Sequence, residues 1–185
     1  MVGVVAALTL LGTGCSDDPA TDDVPVEAQP YVEALSTALA RDGAGGVELD
    51  SAQAACVAPR WVDVLDPRRL DDAGVDPVDL DGEGGLAERV EGVELTDADV
   101  DRLLDAVGDC DIDLHGAFLD GLTAGATPSD DDRACLDDAV SPDLARRAVA
   151  LGVTDGQEAA DGDPQLMTEL FEALSACPGA IELGT

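Results

Sequence analysis

Lysine is absent from this chain of 185 residues, so its positive side chains are nine arginines, set against 41 aspartates and glutamates. The formal net charge at pH 7 is -32. A surface of this charge repels phosphate backbones, and the counterion release that drives protein binding to nucleic acids cannot operate on it. The charge therefore excludes nucleic acid as a partner. It is typical of a solvated surface that keeps the domain in solution, and the alternative is that it attracts a divalent cation or a cationic protein.

Aromatic side chains are also scarce. Tyr31, Trp61, Phe118 and Phe171 are the full set, although hydrophobic residues make up 45% of the chain. A chain this apolar can bury a core and is not disordered throughout. The core must be built mainly from alanine, valine and leucine, which bury less area per side chain than aromatic residues do. We therefore expect covalent cross-links to support it.

Residues that commonly carry chemistry are few. His115 is the one histidine, so a zinc triad of histidines cannot form. The sequence contains no Gly-x-Ser-x-Gly motif, no glycine-rich phosphate loop and no Cys-x-x-Cys pair. We predict that the protein is not an enzyme, that it needs no cofactor, and that His115 is a surface or half-buried residue of a helix.

The beginning of the chain differs sharply in composition from the rest. An apolar run from Val2 to Leu11 is followed by Gly-Thr-Gly and then by Cys15, after which the sequence becomes rich in aspartate. The run is shorter than the roughly 20 residues that a transmembrane helix needs. This arrangement resembles the signal peptide and lipobox of a bacterial lipoprotein, in which the cysteine becomes the acylated N-terminus.

The resemblance implies a location. Residues 1–14 would be a signal peptide, Cys15 would carry the lipid, and the protein would be held at the extracytoplasmic face of the cell membrane. Residues 15–30, rich in aspartate, proline and threonine, would form an acidic tether with a span on the order of 20 Å as a flexible coil. Residues 31–185 would form the helical domain.

Four cysteines follow Cys15, an even number that suits an oxidising compartment. A sequence repeat bears on their pairing. The segments ending at Cys110 and Cys177 align with every apolar position kept, and the segments around Cys56 and Cys135 align as well.

We interpret the chain as two tandem copies of one unit, about residues 51–122 and 129–185. If each copy closes on itself, the disulfides are Cys56–Cys110 and Cys135–Cys177, each worth about 4 kcal/mol by loop entropy. A crossed pairing that joins one copy to the other is the alternative. The whole pattern is similar to small, acidic, cysteine-paired helical lipoproteins of high-GC bacteria, a group from which no function can be carried over.

Signals that start and stop helices alternate along the chain. Ser51, Thr96 and Ser129 stand where N-caps are needed, three Asp-Pro or Ser-Pro pairs place a proline in a first helical turn, and glycines at 74, 108 and 152 follow apolar runs. The sequence predicts an all-α fold with a kink or break at Pro59. The predicted helices are Gln29–Arg41, Ala52–Leu65, Pro67–Ala73, Asp97–Gly108, Ile112–Leu122, Asp130–Ala139, Pro142–Leu151 and Pro164–Ala176.

Two stretches rich in glycine and aspartate, residues 76–94 and 154–162, are predicted to be internal loops of the two copies. In the first, Asp79, Asp81 and Glu83 match positions 1, 3 and 5 of the EF-hand calcium loop, whose oxygen ligands suit a hard cation. Position 12, where a glutamate should close the site, is Val90.

The function that the sequence favours is a lipid-anchored, extracytoplasmic helical domain that acts as a non-catalytic envelope or protein-interaction module. Its partners would be the membrane, through the lipid, and a cationic protein. The alternative is a lipoprotein that binds calcium or another divalent cation through Asp79, Asp81 and Glu83.

Overall fold

A computed structural model describes residues 24–82, 89–90, 92–124, 126, 128–154, 163–177 and 179. Within these residues the fold is all-α, as the sequence predicts, and the only extended pairing is an isolated bridge between Ala44 and Val47. The helices are α1 (Gln29–Asp42), α2 (Ser51–Leu65), α3 (Pro67–Asp72), α4 (Pro77–Leu80), α5 (Asp97–Gly108), α6 (Leu114–Leu122), α7 (Asp130–Ala139), α8 (Pro142–Thr154) and α9 (Pro164–Ala176).

Local capping chemistry sets the start of most helices. The side chains of Thr96 and Ser129 accept a hydrogen bond from the third residue of α5 and α7, as the capping-box spacing predicts. Helix α2 is capped by Asp50, whose carboxylate accepts the amides of Ala52 and Gln53, so the prediction that Ser51 is the cap is wrong by one residue. Gln53 completes the capping box, because its side-chain oxygen accepts the backbone amide of Asp50 at 2.9 Å.

The helices also differ from the prediction at three places where it rested on a particular residue, while the ends of α1 and α3 differ by one residue each. Helix α6 begins at Leu114 rather than Ile112, since Asp111 has a positive φ of 56° and turns the chain just before it. Helix α2 runs through Pro59 without a break. Helix α8 continues past Gly152, which was predicted to end it.

Most buried apolar residues form one core. Helix α1 packs against α2, α2 against α5, and α8 against both α5 and α6. Trp61 is fully buried between α2 and α5, and its indole Nε1 donates a hydrogen bond of 2.8 Å to the carbonyl of Leu103. This core includes residues of both predicted copies, such as Val57 and Val149. The two copies therefore do not have separate cores, and the tandem repeat stays a prediction.

Each predicted pair of cysteines is joined. The Cys56–Cys110 disulfide links α2 to the end of α5, and the Cys135–Cys177 disulfide links α7 to the residue after α9. The second disulfide lies in a small cluster of its own, in which Leu136 and Cys177 are buried. One cross-link thus supports the main core and the other fastens its periphery.

A glycine-rich loop at residues 43–46 fills a narrow space beside α6 and α8. A Cβ atom on Gly152 would lie 3.0 Å from the Cα of Gly45, and one on Gly121 would lie 2.4 Å from the carbonyl oxygen of Gly46. Helices α6 and α8 can approach the loop this closely only because both carry glycine at the contact. Gly152 is therefore a packing residue within α8 rather than its end.

Two predicted connecting segments belong partly to the domain. The predicted tether, residues 15–30, overlaps a turn at 25–28 and the start of α1, and Ala28 is buried. The predicted loop at 76–94 contains α4, and its Leu80 and Val90 are buried. Both predictions rested on composition, which does not register single apolar residues that the core takes up.

Candidate functional site

An open groove of about 730 Å³ is present among the described residues. It lies between the segment 24–28, one side of α2, the start of α3 and one side of α5. Its apolar lining consists of Val24, Pro25, Ala28, Pro59, Val62, Val64, Pro67 and Ala106. Its charged lining consists of Glu27, Arg60, Asp63, Asp66, Arg68, Arg102, Asp105 and Asp109. A volume of this order suits a small molecule.

Hydrogen bonds within the chain hold Arg60 and the backbone of Arg68, two of the arginines that line the groove. Arg60 is half-buried on α2, and its Nη1 donates a hydrogen bond of 2.8 Å to the carbonyl oxygen of Cys56, one turn earlier. Arg68 follows the proline that begins α3, and its backbone amide donates to the carboxylate of Asp66 at 2.9 Å. The cross-linked part of α2 therefore holds the Arg60 side chain, and the capped start of α3 places the backbone of Arg68.

Arg60 and Arg68 differ from most of the other arginines in their ion pairs. Arg41, Arg69, Arg89, Arg102, Arg146 and Arg147 form ion pairs with carboxylates. Among the described residues, no carboxylate forms an ion pair with Arg60, Arg68 or Arg133. Two of these three arginines line the groove.

Arg102, the third arginine of the groove, belongs to a network centred on Asp99. Only 7% of the Asp99 side chain is exposed, and the backbone amide and hydroxyl of Thr96 donate hydrogen bonds to it. These two donors, with Arg102 and Arg69 beside them, lower the pKa of Asp99 to about 2, although burial opposes the shift. The network fixes the start of α5, which forms one wall of the groove.

The structure does not assemble the predicted metal site among the residues that it describes. The Asp79 carboxylate accepts the backbone amide of Asp76 at 2.8 Å, and the Asp81 carboxylate pairs with Arg41 at 3.0 Å. Glu83 lies outside the described residues. No group of three or more histidine, cysteine, aspartate or glutamate side chains in the described part of the chain could hold a metal ion.

His115 lies in α6, half-buried, as the sequence predicts. Its Nε2 is 2.7 Å from the carbonyl oxygen of Val140, and its Nδ1 is 3.7 Å from a carboxylate oxygen of Asp137. The ring therefore joins α6 to the end of α7, which is a structural role.

A pair of exposed apolar side chains lies on α9. Phe171 is 69% exposed and Met167, one helical turn before it, is 39% exposed. Their aligned positions in the predicted first copy, Leu104 and Val100, are buried and half-buried. This helix face is thus buried or half-buried on α5 but exposed to solvent on α9.

The groove cannot be recognised from local sequence patterns. One feature of the sequence points toward it, since three of the nine arginines, Arg60, Arg68 and Arg69, fall within ten consecutive residues. That Arg60 and Arg68 share a groove with Arg102 depends on the packing of α2 against α5, which no local pattern reports.

Cys15 and the apolar run before it lie outside the described residues. None of the described helices is both long enough and apolar enough to cross a membrane. Comparison of the chain with protein-family models, with curated proteins and with solved structures gave no match.

Proposed function

We propose that this chain is a lipid-anchored, extracytoplasmic binding domain, not an enzyme, that holds a ligand in its groove in front of the membrane. The groove carries the proposal. Its size suits a small molecule, half of its lining residues are apolar, and it brings together two arginines that form no ion pair with any described carboxylate, in a chain with 41 acidic residues.

Two further features support the location. Disulfides persist in oxidising compartments outside the cytosol, and the structure contains two. The groove also includes Val24, nine residues after Cys15 along the chain. Nine residues span at most about 30 Å, so a lipid on Cys15 would keep the groove close to the membrane surface.

The anchor is tested by comparing the full chain with its Cys15→Ser variant in the native cell. We expect the unaltered protein to partition into detergent, to have an intact mass increased by acyl chains, and to be cut by trypsin added to whole cells. The variant should lose the added mass and the partitioning. An unaltered protein without added mass that resists external trypsin would contradict the proposed location.

The cysteines give an independent test. Alkylation of intact cells before and after reduction should show Cys56, Cys110, Cys135 and Cys177 blocked in the native protein. Four reactive thiols in freshly lysed cells would contradict an oxidising compartment, whatever the state of Cys15.

A further inference from the structure

The positions of the three arginines that form no ion pair with any described carboxylate are informative. Arg60 and Arg68 line the groove, whereas Arg133 lines a separate hollow of about 350 Å³ between α6 and α7. A guanidinium offers a planar set of donors that matches carboxylate and phosphate oxygens. Two such donor sets line the groove, and neither pairs with a carboxylate of the residues that the structure describes.

Arg60 is held in position for an external acceptor. Its Nη1 donates to the carbonyl oxygen of Cys56 and lies 3.3 Å from the Cys56 sulfur, in the part of α2 that the Cys56–Cys110 disulfide cross-links. The side chain therefore loses less conformational entropy when a ligand binds. Within the described part of the chain its Nε and Nη2 form no hydrogen bond, and Arg68 lines the same groove.

The acidic side chains of the groove limit what the ligand can be. Asp66 is engaged in capping α3, and Asp105 pairs with Arg146 at 3.0 Å. Glu27, Asp63 and Asp109 are exposed, and their charges would repel a ligand that carried several negative groups. The apolar lining instead suits an uncharged hydrocarbon body.

We propose that the groove binds a small amphiphile, an apolar molecule that carries a single carboxylate or phosphate group. Arg60 and Arg68 contact the oxyanion, and the apolar body lies against residues such as Val62 and Pro25. This inference rests on the proposed function, because it names the class of ligand that the same groove takes.

The test uses the full-length protein in nanodiscs of zwitterionic lipid, with empty nanodiscs as the blank. Hexanoate, hexyl phosphate, hexanol and hexylamine are titrated by calorimetry at about 150 mM salt, where long-range repulsion is screened beyond about 8 Å. We expect at least one of the two anions to bind about tenfold more tightly than hexanol, the equivalent of about 1.4 kcal/mol. The ratio between hexanoate and hexyl phosphate then identifies the preferred oxyanion.

Three variants locate the binding. Arg68→Gln should weaken binding of the anion about tenfold and leave hexanol unchanged, and Arg60→Gln should do the same with an unchanged melting temperature. Arg133→Gln is the matched control, since it removes an arginine without an ion pair from outside the groove, and it should change nothing.

The inference and the proposed function fail in different ways. Equal binding of hexanol and the anions, tighter binding of hexylamine, or equal losses in Arg68→Gln and Arg133→Gln would overturn the ligand class, as would the absence of saturable binding by any probe. If hexanol binds and substitutions in the groove change its affinity, the groove remains a binding site and only the ligand class is wrong. A chain that does not insert into nanodiscs contradicts the anchor, and the titrations are then made in buffer.

Discussion

Asp99 has two roles. As the third residue of α5 it completes the capping box with Thr96, and its nearly buried carboxylate forms ion pairs with two arginines. Its carboxylate accepts from Thr96 and lies beside Arg69 and Arg102. The sequence predicts the first role from the Thr96 spacing, but not the second. The two arginine side chains are 36% and 58% exposed, so solvent screens part of their attraction.

Replacing Asp99 by asparagine should lower the free energy of unfolding at pH 7 by about 1–2 kcal/mol. The pKa of Asp99 is lowered from 3.8 to about 2, so its contribution is complete above the unfolded value and is lost as the pH falls toward about 2. The difference between the proteins should therefore disappear in that range. Urea unfolding of both proteins between pH 7 and pH 2 measures it.

Asp132→Asn is the matched control for this prediction. Asp132 occupies the same capping position in α7, beside Ser129, but no arginine pairs with it among the described residues. Asp132→Asn should lower the free energy of unfolding at pH 7 by less than Asp99→Asn does. Equal costs at pH 7 would show that the cap alone, and not the arginine network, stabilises the start of α5.

Gly121→Ala should destabilise the protein by about 2 kcal/mol, because the new Cβ would lie 2.4 Å from the carbonyl oxygen of Gly46 and the backbone would have to move. Gly108→Ala is the control, since a Cβ there meets nothing within 4 Å. Alanine is the better helix former, so Gly108→Ala should stabilise by about 0.5 kcal/mol. Thermal unfolding of both variants would contradict this account if the two changes had the same sign.

At the scale of helices, the two disulfides support different parts of the fold. Cys56–Cys110 joins α2 to the end of α5 and closes a separation of 54 residues, whereas Cys135–Cys177 closes 42 and holds the small cluster of α7 and the end of α9. Loop entropy gives each a similar value, about 4 kcal/mol. Their positions distinguish them.

Removing Cys135–Cys177 by alanine substitution should therefore raise amide hydrogen exchange mainly in α7 and at the end of α9. Removing Cys56–Cys110 should raise it throughout the main core. Hydrogen exchange with mass spectrometry compares the two double variants directly. If the first change accelerated exchange in α2 and α5 as much as in α7, the cluster around Leu136 would not be an independent unit.

Helices were predictable from the sequence where local chemistry decides them. The caps at Thr96 and Ser129 and the end of α2 at Leu65 are placed as predicted. The errors come from distant contacts, since the core buries Leu80 and Val90 and Gly152 packs closely against the loop at 43–46. The groove was missed for the same reason, because its walls come from segments more than 70 residues apart, such as Val24 and Ala106.

At the scale of the whole molecule, the net charge of -32 opposes folding. Repulsion among these charges is greater in the compact state than in the unfolded chain. Raising sodium chloride from about 0.05 to about 0.5 M should increase the melting temperature by about 4 °C, equivalent to about 1 kcal/mol. Calorimetric scans at several concentrations measure it.

The shape of the salt dependence separates screening from general salt effects. Screening saturates once the Debye length falls to a few ångströms, so the melting temperature should level off near about 0.5 M. A flat response, or a linear rise that continues beyond that concentration, would show that charge repulsion does not limit stability.

The close fit of Gly45 against α8 also has a consequence in time. The chain emerges from the ribosome N-terminus first, so the loop at 43–46 waits until Gly152, more than 100 residues later, has been synthesised. Contacts between such distant residues slow folding. The closure of α8 onto a loop formed near the start of synthesis is thus expected to be a late and slow step of folding.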